Sequence, residues 1–247
     1  MILLKAEEFD GERMRPTDHP ATPSFCDLIA PLTPADISAL WSNRKLTFRR
    51  AVEPIRAPAL LDWNTLRNSI ETGVIPLEKC RITFGRRDVP PPLYSDDGRP
   101  NAAKVTQLAE QGASLIIKPL DAYLPAVKLV CQDARRQGIR VGRAGAIVTT
   151  GIGGALGLHF DPKDIIVLQL EGSKRWRVYG RPAADPGKWN AKQSPPDETA
   201  VFDDVLRPGD FLFMPAGYWH QCDNGPGRSL HIGLFVNRPT ATAPQAH

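Results

Sequence analysis

The sequence predicts a mainly β fold with a helical N-terminal part, and three observations predict it. From Ala144 onward, short β-branched or aromatic segments alternate with Gly, Pro and Asp, and no helical period interrupts them. Before that point, helix caps and apolar residues at helical spacing dominate. At 247 residues and 42% hydrophobic content, the chain is long enough for one large domain or for a core with an elaborated arm.

The elements follow in order. Thr33-Pro34-Ala35-Asp36 sets a cap, an N1 proline and an early acid before an apolar run through Trp41, which starts a helix. Asp62 caps a second helix that ends at Gly73. Residues 86–102 carry turn and breaker chemistry throughout and read as a long exposed loop. A helix over Val105–Gln111 stops at Gly112, and Ser114–Ile117 reads as a strand. Asp121–Gln137 has helical spacing at Leu124, Val127, Val130 and Ala134 and ends at Gly138.

The strands expected after it are Ala144–Thr150, Asp164–Leu170, Arg175–Tyr179, Ala200–Leu206, Asp210–Met214 and Ser229–Val236. Several short strands joined by turns argue a sandwich or barrel. Arg181–Glu198 reads as a second loop rich in Pro, Asp and Lys, and Arg238–His247 as a frayed tail. No internal repeat is present.

Composition narrows the classes. No run of about 18 apolar residues exists, which excludes a transmembrane helix. Acids close behind the N-terminal Met-Ile-Leu-Leu argue against an export signal. Four scattered cysteines (Cys26, Cys80, Cys131, Cys222) without a Cys-x-x-Cys pair suit a reducing cytoplasm better than a disulfide framework or a zinc site. The net charge of +4 is mild. Basic groups at Arg135, Arg136, Arg140 and Arg143, and at Lys174, Arg175, Arg177 and Arg181, read as solvated faces rather than a nucleic-acid platform.

The residues that carry chemistry are His159, Asp161 and His220. Two imidazoles and one carboxylate make the set that holds a non-haem iron on one face and leaves the other open. Residues two apart on a strand point the same way, so His159 and Asp161 reach one metal without bending the backbone. Alone, His-x-Asp is a common accident. It gains weight here from a second segment, Phe211 to His220, in which a strand runs into Pro215-x-Gly217-x-x-His220. Gly151–Gly157 precedes a strand rather than opening a helix, so it reads as a tight turn and not a nucleotide loop. Tyr218 and Trp219 stand beside His220, either to shape the mouth of a site or to pack the barrel rim. His231 on the last strand reads as core or as support beside the metal. Asp164 is either a partner that orients a ligand or a strand-entry acid.

Gly209-x5-Pro215-x-Gly217-x2-His220-x3-Asn224 resembles the second cupin motif. Gly153-x5-His159-x-Asp161 resembles the first half of the opening one, with Asp in place of its second His. Together with Asp164–Tyr179 they make the chain similar to the cupin-like Jumonji-C (JmjC) oxygenases, closest to the ribosomal oxygenase branch. The resemblance runs from about residue 105 to 237, so it implies an N-terminal helical and loop region over 1–104 packing on the core, a cupin-like domain over 105–237 and a tail over 238–247. It implies a double-stranded β-helix (jelly-roll) core that holds Fe(II) and 2-oxoglutarate, with His159, Asp161 and His220 as iron ligands. It also implies Lys174 as partner to the far carboxylate of 2-oxoglutarate, and Thr149 as a lining residue of that pocket. A dicarboxylate taken from water needs a cation at its distal end, although a surface strand lysine is the plain alternative for Lys174.

This sequence departs from the family at three positions. Gly145 and Ile147 stand where relatives carry Asn and Tyr, and Gly233 where a hydroxyl residue is expected, so the cosubstrate shell is leaner or filled differently. The sequence also ends soon after the barrel, without the C-terminal winged-helix region of the ribosomal oxygenases.

The expected activity is hydroxylation of an amino-acid side chain on a protein, a peptide or a building block. A metal-dependent cupin enzyme that does not use 2-oxoglutarate and a non-catalytic binding module stay open beside it. The oligomeric state is open too, a homodimer included.

Overall fold

The computed structural model describes residues 22–51, 59–180 and 199–237. The expected loop at Arg181–Glu198 and tail at Arg238–His247 lie outside the described residues.

Local chemistry starts each helix. Ser24 and Asp27 close a capping box at α1 (Phe25–Ile29), and Thr33 and Asp36 do so at α2 (Pro34–Ser42). Asp62 accepts from the Thr65 amide to start α3 (Trp63–Glu71), and Asn101 accepts from Lys104 to start α4 (Ala102–Glu110). The last helix, α5 (Pro125–Arg136), opens on Pro125 rather than at Asp121. Asp121 is used elsewhere: its carboxylate accepts from the Ala144 amide at 2.8 Å.

The strands, in chain order, are β1 (Thr47–Arg49), β2 (Cys80–Phe84), β3 (Arg87–Asp88), β4 (Ser95–Asp96), β5 (Arg99–Pro100), β6 (Ser114–Ile117) and β7 (Val141–Thr150). After them come β8 (His159–Phe160), β9 (Asp164–Glu171), β10 (Lys174–Val178), β11 (Phe202–Leu206), β12 (Phe211–Met214), β13 (Trp219–Asn224) and β14 (Arg228–Val236). One eight-stranded sheet has the order β1-β12-β9-β14-β7-β6-β2-β3, and a four-stranded sheet the order β11-β10-β13-β8. The strands β7 to β14 thus pass back and forth between two facing antiparallel sheets, except that β10 and β11 pair within the smaller one, and this is a double-stranded β-helix. The first third also extends the larger sheet through β1, β2 and β3, so it is not only helical.

Residues 86–102 are not one loop. Asp97 (φ 50°) and Gly98 (φ 77°) take left-handed backbone and turn β4 back onto β5. The breaker composition that suggested a loop is the composition of a tight hairpin.

Alternation along β9 splits its apolar side chains between two cores. Ile166, Leu168 and Leu170 face the helices, in a cluster with Leu66, Val127 and Val130. Ile165 and Val167 face the barrel interior with Trp176, Val178 and Leu206. Both faces are covered, so the strand reads as a continuous apolar run. Each fully buried aliphatic side chain contributes about 1.5–3 kcal/mol. The β9–β10 turn needs Gly172: a Cβ there would meet the Arg228 carbonyl oxygen at 1.8 Å.

Candidate metal centre

Three residues converge at one end of the barrel interior. His159 comes from β8, Asp161 directly follows that strand, and His220 lies on β13. His159 and His220 pair across the sheet, with ring centroids 4.2 Å apart. Strand alternation explains His159 and His220 fully but Asp161 only in part, since β8 stops at Phe160. The turn before β13 holds it instead: the Gly217 amide donates to the Asp161 carbonyl at 2.9 Å. The ligand atoms of the three side chains all lie within 4.8 Å of one another.

The hydrogen bonds set the tautomers. His159 Nδ1 lies 2.8 Å from the Gly157 carbonyl and His220 Nδ1 lies 3.1 Å from the Tyr218 carbonyl. A carbonyl only accepts, so each Nδ1 carries a proton, and in the neutral ring Nε2 then keeps its lone pair for a metal. Burial, together with the neighbouring His159 ring, holds the His220 imidazole well below its ordinary pKa, so it is neutral. Asp161 Oδ2 stands 3.8 Å from His220 Nε2, too far for a hydrogen bond and near enough to share an ion. Two Nε2 atoms and one carboxylate fit a divalent metal of the iron type.

Lys174 lies deeper in the same cavity, buried to 1% exposure. Its Nζ donates to Thr149 Oγ1 at 3.0 Å, and that hydroxyl bonds Ser114 Oγ at 2.9 Å. Burial pulls the lysine down to about 8. It is therefore not part of a solvated basic face. Arg175 and Arg177 are, pairing with Asp203 and Asp223 respectively. Asn224, the last residue of the second motif, donates to the carbonyls of Gly151 and Gly227 and so ties the 151–157 turn to β13.

The cavity is lined by His159, Asp161, His220 and Lys174 together with Gly145, Ile147, Trp176, His231 and Gly233, while Thr149, expected in the lining, stands behind it as the hydrogen-bond partner of Lys174. The three departures therefore do face the site. His231 stands edge-on to Trp176 at 5.4 Å, and its Nδ1 has no hydrogen-bond partner. Burial, helped by Lys174 and Lys118, holds it well below the usual imidazole range. Asp164 stands at the entry of β9. It accepts from Trp41 Nε1 and from the Ala216 amide, both at 2.6 Å, and so pins the turn that leads to His220.

Of the two readings open for Tyr218 and Trp219, packing fits and a mouth to the site does not. Trp219 is buried against Phe160 in a T-shaped contact at 5.0 Å, and Tyr218 borders a separate surface depression, so neither lines the cavity. Lys118, Cys222 and Phe235 line it without having been expected. The available signal for Lys118 was a cation closing an apolar strand, Ser114–Ile117, and nothing in its spacing linked it to the histidines.

The chain is similar to several known proteins. Residues 131–243 match the family described as JmjC domain. Ribosomal oxygenase 1 of Rattus norvegicus is 31% identical over 219 residues, which covers 84% of this chain and 36% of that protein. The bifunctional lysine-specific demethylase and histidyl-hydroxylase NO66 of Drosophila willistoni is 32% identical over 164 residues, covering 64% of this chain and 21% of that one. The crystal structure of the Escherichia coli ribosomal oxygenase YcfD superposes with a TM-score of 0.57 at 18% identity, covering 85% of this chain and 52% of that one. YcfD in complex with cobalt and 2-oxoglutarate gives a TM-score of 0.55 at 16% identity, covering 84% of this chain and 52% of that one. At that identity the likeness shows the shared fold. The chain spans about a third or less of these curated relatives (36% and 21%) and about half of the solved one (52%).

Proposed function

We propose that this chain, whose residues 131–243 match the JmjC domain, is an Fe(II)- and 2-oxoglutarate-dependent hydroxylase acting on an amino-acid side chain of a protein or peptide. The observation that carries the reading is one cavity with two chemically different ends. Three convergent metal donors stand at one end, and a buried lysine with a hydroxyl partner stands at the other.

His159, Asp161 and His220 would hold the iron through two Nε2 atoms and a carboxylate oxygen. Iron and 2-oxoglutarate, when bound, supply the oxidising power that places a hydroxyl on an unactivated C–H bond. Lys174 would take the distal carboxylate of the cosubstrate, with Thr149 fixing the ammonium's direction. Ile147, Trp176 and Phe235 give the cavity apolar walls, which exclude water and strengthen both ionic contacts. The protein or peptide substrate is supported by the names of the relatives, a ribosomal oxygenase and a histidyl-hydroxylase. The reading also places the protein in the cytoplasm, supported by four cysteines that are all free. Among the described residues, no helix is long and apolar enough to cross a membrane.

The test is succinate release from anaerobically iron-loaded protein that is given 2-oxoglutarate and then air. Slow release that needs Fe(II) and vanishes in Asp161→Ala is the expected result. Calorimetry on the Mn(II)-loaded protein is the second arm, because tight coupling silences turnover without substrate. A metal-loaded protein that binds no 2-oxoglutarate overturns the reading in favour of a metal enzyme with another cosubstrate.

A further inference from the structure

Lys118 directly follows β6, and its side chain enters the metal cavity from the larger sheet. The stem lies over Gly145: a Cβ at that glycine would meet Lys118 Cγ at 2.7 Å and Cε at 3.2 Å. The lysine therefore fills the room that the side chain of residue 145 would take. In the sequence, that is one of the positions where the cosubstrate shell looks empty. The polar group has not been lost from the cavity; it arrives from a neighbouring strand as an ammonium.

That ammonium lacks a counter-ion. Its Nζ sits 4.6 Å from the centroid of the Phe235 ring, and among the described residues it makes no ion pair or side-chain hydrogen bond. A partly buried charge without an anion is costly, and a ring face returns only about 1–2 kcal/mol. Burial lowers its affinity for the proton, and Asp161 opposes that change. The Asp161 carboxylate belongs to the metal donor set, so among the described residues no carboxylate is left to pair the lysine.

The register shows which end of the cavity Lys118 serves. Thr149, Ile147 and Gly145 project from one side of β7 and stand opposite Ser229, His231 and Gly233 of β14. Lys174 bonds Thr149 at the closed end of this row, whereas Lys118 covers Gly145, four residues or about 13 Å of strand away. His231, with its orphaned Nδ1, stands between them.

We infer that Lys118 is a second carboxylate anchor, which holds the carboxylate at the metal end of a 2-oxo acid while Lys174 holds the far one. The inference rests on the proposed use of 2-oxoglutarate. It makes the cavity a clamp with a lysine at each end, which offsets the missing Asn and hydroxyl side chains.

Two ligands separate the two anchors. 2-Oxoglutarate and 2-oxopentanoate share the 2-oxo acid end, and only the first has a distal carboxylate. Calorimetry on Mn(II)-loaded protein would measure both against wild type, Lys118→Met, Lys118→Arg and Lys174→Met. Methionine keeps a stem over Gly145, and the Mn(II) EPR titration checks that the metal site survives. Lys118→Met should weaken both ligands by a similar factor, about tenfold or more, and Lys118→Arg should restore most of it. Lys174→Met should weaken 2-oxoglutarate and leave 2-oxopentanoate alone. If Lys118→Met binds both ligands as wild type does, the anchor is refuted and the ammonium belongs to a carboxylate on the substrate. The proposed function survives that result if Lys174→Met has lost its discrimination. A wild-type protein that binds neither ligand removes both.

Discussion

Lys174 and Thr149 meet across the barrel, ammonium to hydroxyl at 3.0 Å, with no carboxylate bonded to either. The pair has a direct consequence for pH. Burial brings the Lys174 pKa from 10.5 to about 8. A dicarboxylate needs the protonated form, so above about pH 8 binding must first restore a proton. Affinity for 2-oxoglutarate should stay level below that value and fall about tenfold per unit above it. Titration calorimetry from pH 6.5 to 9.5 reads the break. Lys174→Arg stays charged throughout and should show none. A break that persists in Lys174→Arg assigns the titration to another group.

The metal donors make a second prediction, readable without turnover. A divalent ion at a hundredfold excess over its Kd stabilises the folded chain by about 2.7 kcal/mol. For a chain of this size that raises Tm by roughly 5–10 °C. Asp161→Ala should remove most of the Mn(II)-induced shift and change the metal-free Tm little, because the Asp161 side chain is partly exposed, at 23%. An equal shift in the variant would take Asp161 out of the donor set.

The metal set was legible because each motif carries its own turn chemistry. Pro215 and Gly217 mark the turn that delivers His220, and the spacing of His159 and Asp161 marks a strand end. Lys174 was legible through the resemblance, and its burial then separated it from the surface lysine it resembles in sequence. Lys118 was not legible: only the pairing of β6 with β7 carries it over Gly145. The strands β1 and β2 were missed because short segments take their conformation from the partners they pair with, β12 and β6. The strand β13 was missed for another reason. Its sequence, Trp-His-Gln-Cys-Asp-Asn, spends its polar residues on the site and on loop anchoring, so it shows no apolar alternation.

Asp164 links the N-terminal helices to the metal turn, and its removal should be felt in both. Asp164→Ala leaves the buried Ala216 amide without an acceptor, a cost of about 1–3 kcal/mol. Trp41→Phe takes the indole donor away from the buried Asp164 carboxylate, which keeps the Ala216 amide, so it should also cost about 1–3 kcal/mol. Urea midpoints give the two values. Mn(II) affinity should fall in Asp164→Ala but not in Trp41→Phe, because only the first frees the turn whose Tyr218 carbonyl orients His220. Equal metal affinity in all three proteins would mean that the turn holds its shape without Asp164.

The 151–157 turn positions His159 from the other side, and its glycines separate packing from flexibility. Gly154 lies against β13, where an added Cβ would meet the Cys222 carbonyl oxygen at 2.3 Å, a contact that backbone on both sides prevents from relaxing cheaply. Gly157 has open space around its missing Cβ and no left-handed backbone. The Gly157 carbonyl nonetheless accepts the His159 Nδ1–H. If the turn acts by holding that carbonyl in place, Gly154→Ala should lift it from β13 and reduce Mn(II) affinity about 10–100-fold, as loss of a ligand-orienting partner does. Gly157→Ala keeps the carbonyl where it is and should bind metal within a fewfold of wild type. Both substitutions stiffen the unfolded chain to a similar extent, so entropy does not separate them. EPR titration of both variants decides it. Similar losses in the two would show that the turn needs glycine for flexibility rather than for its seat on β13.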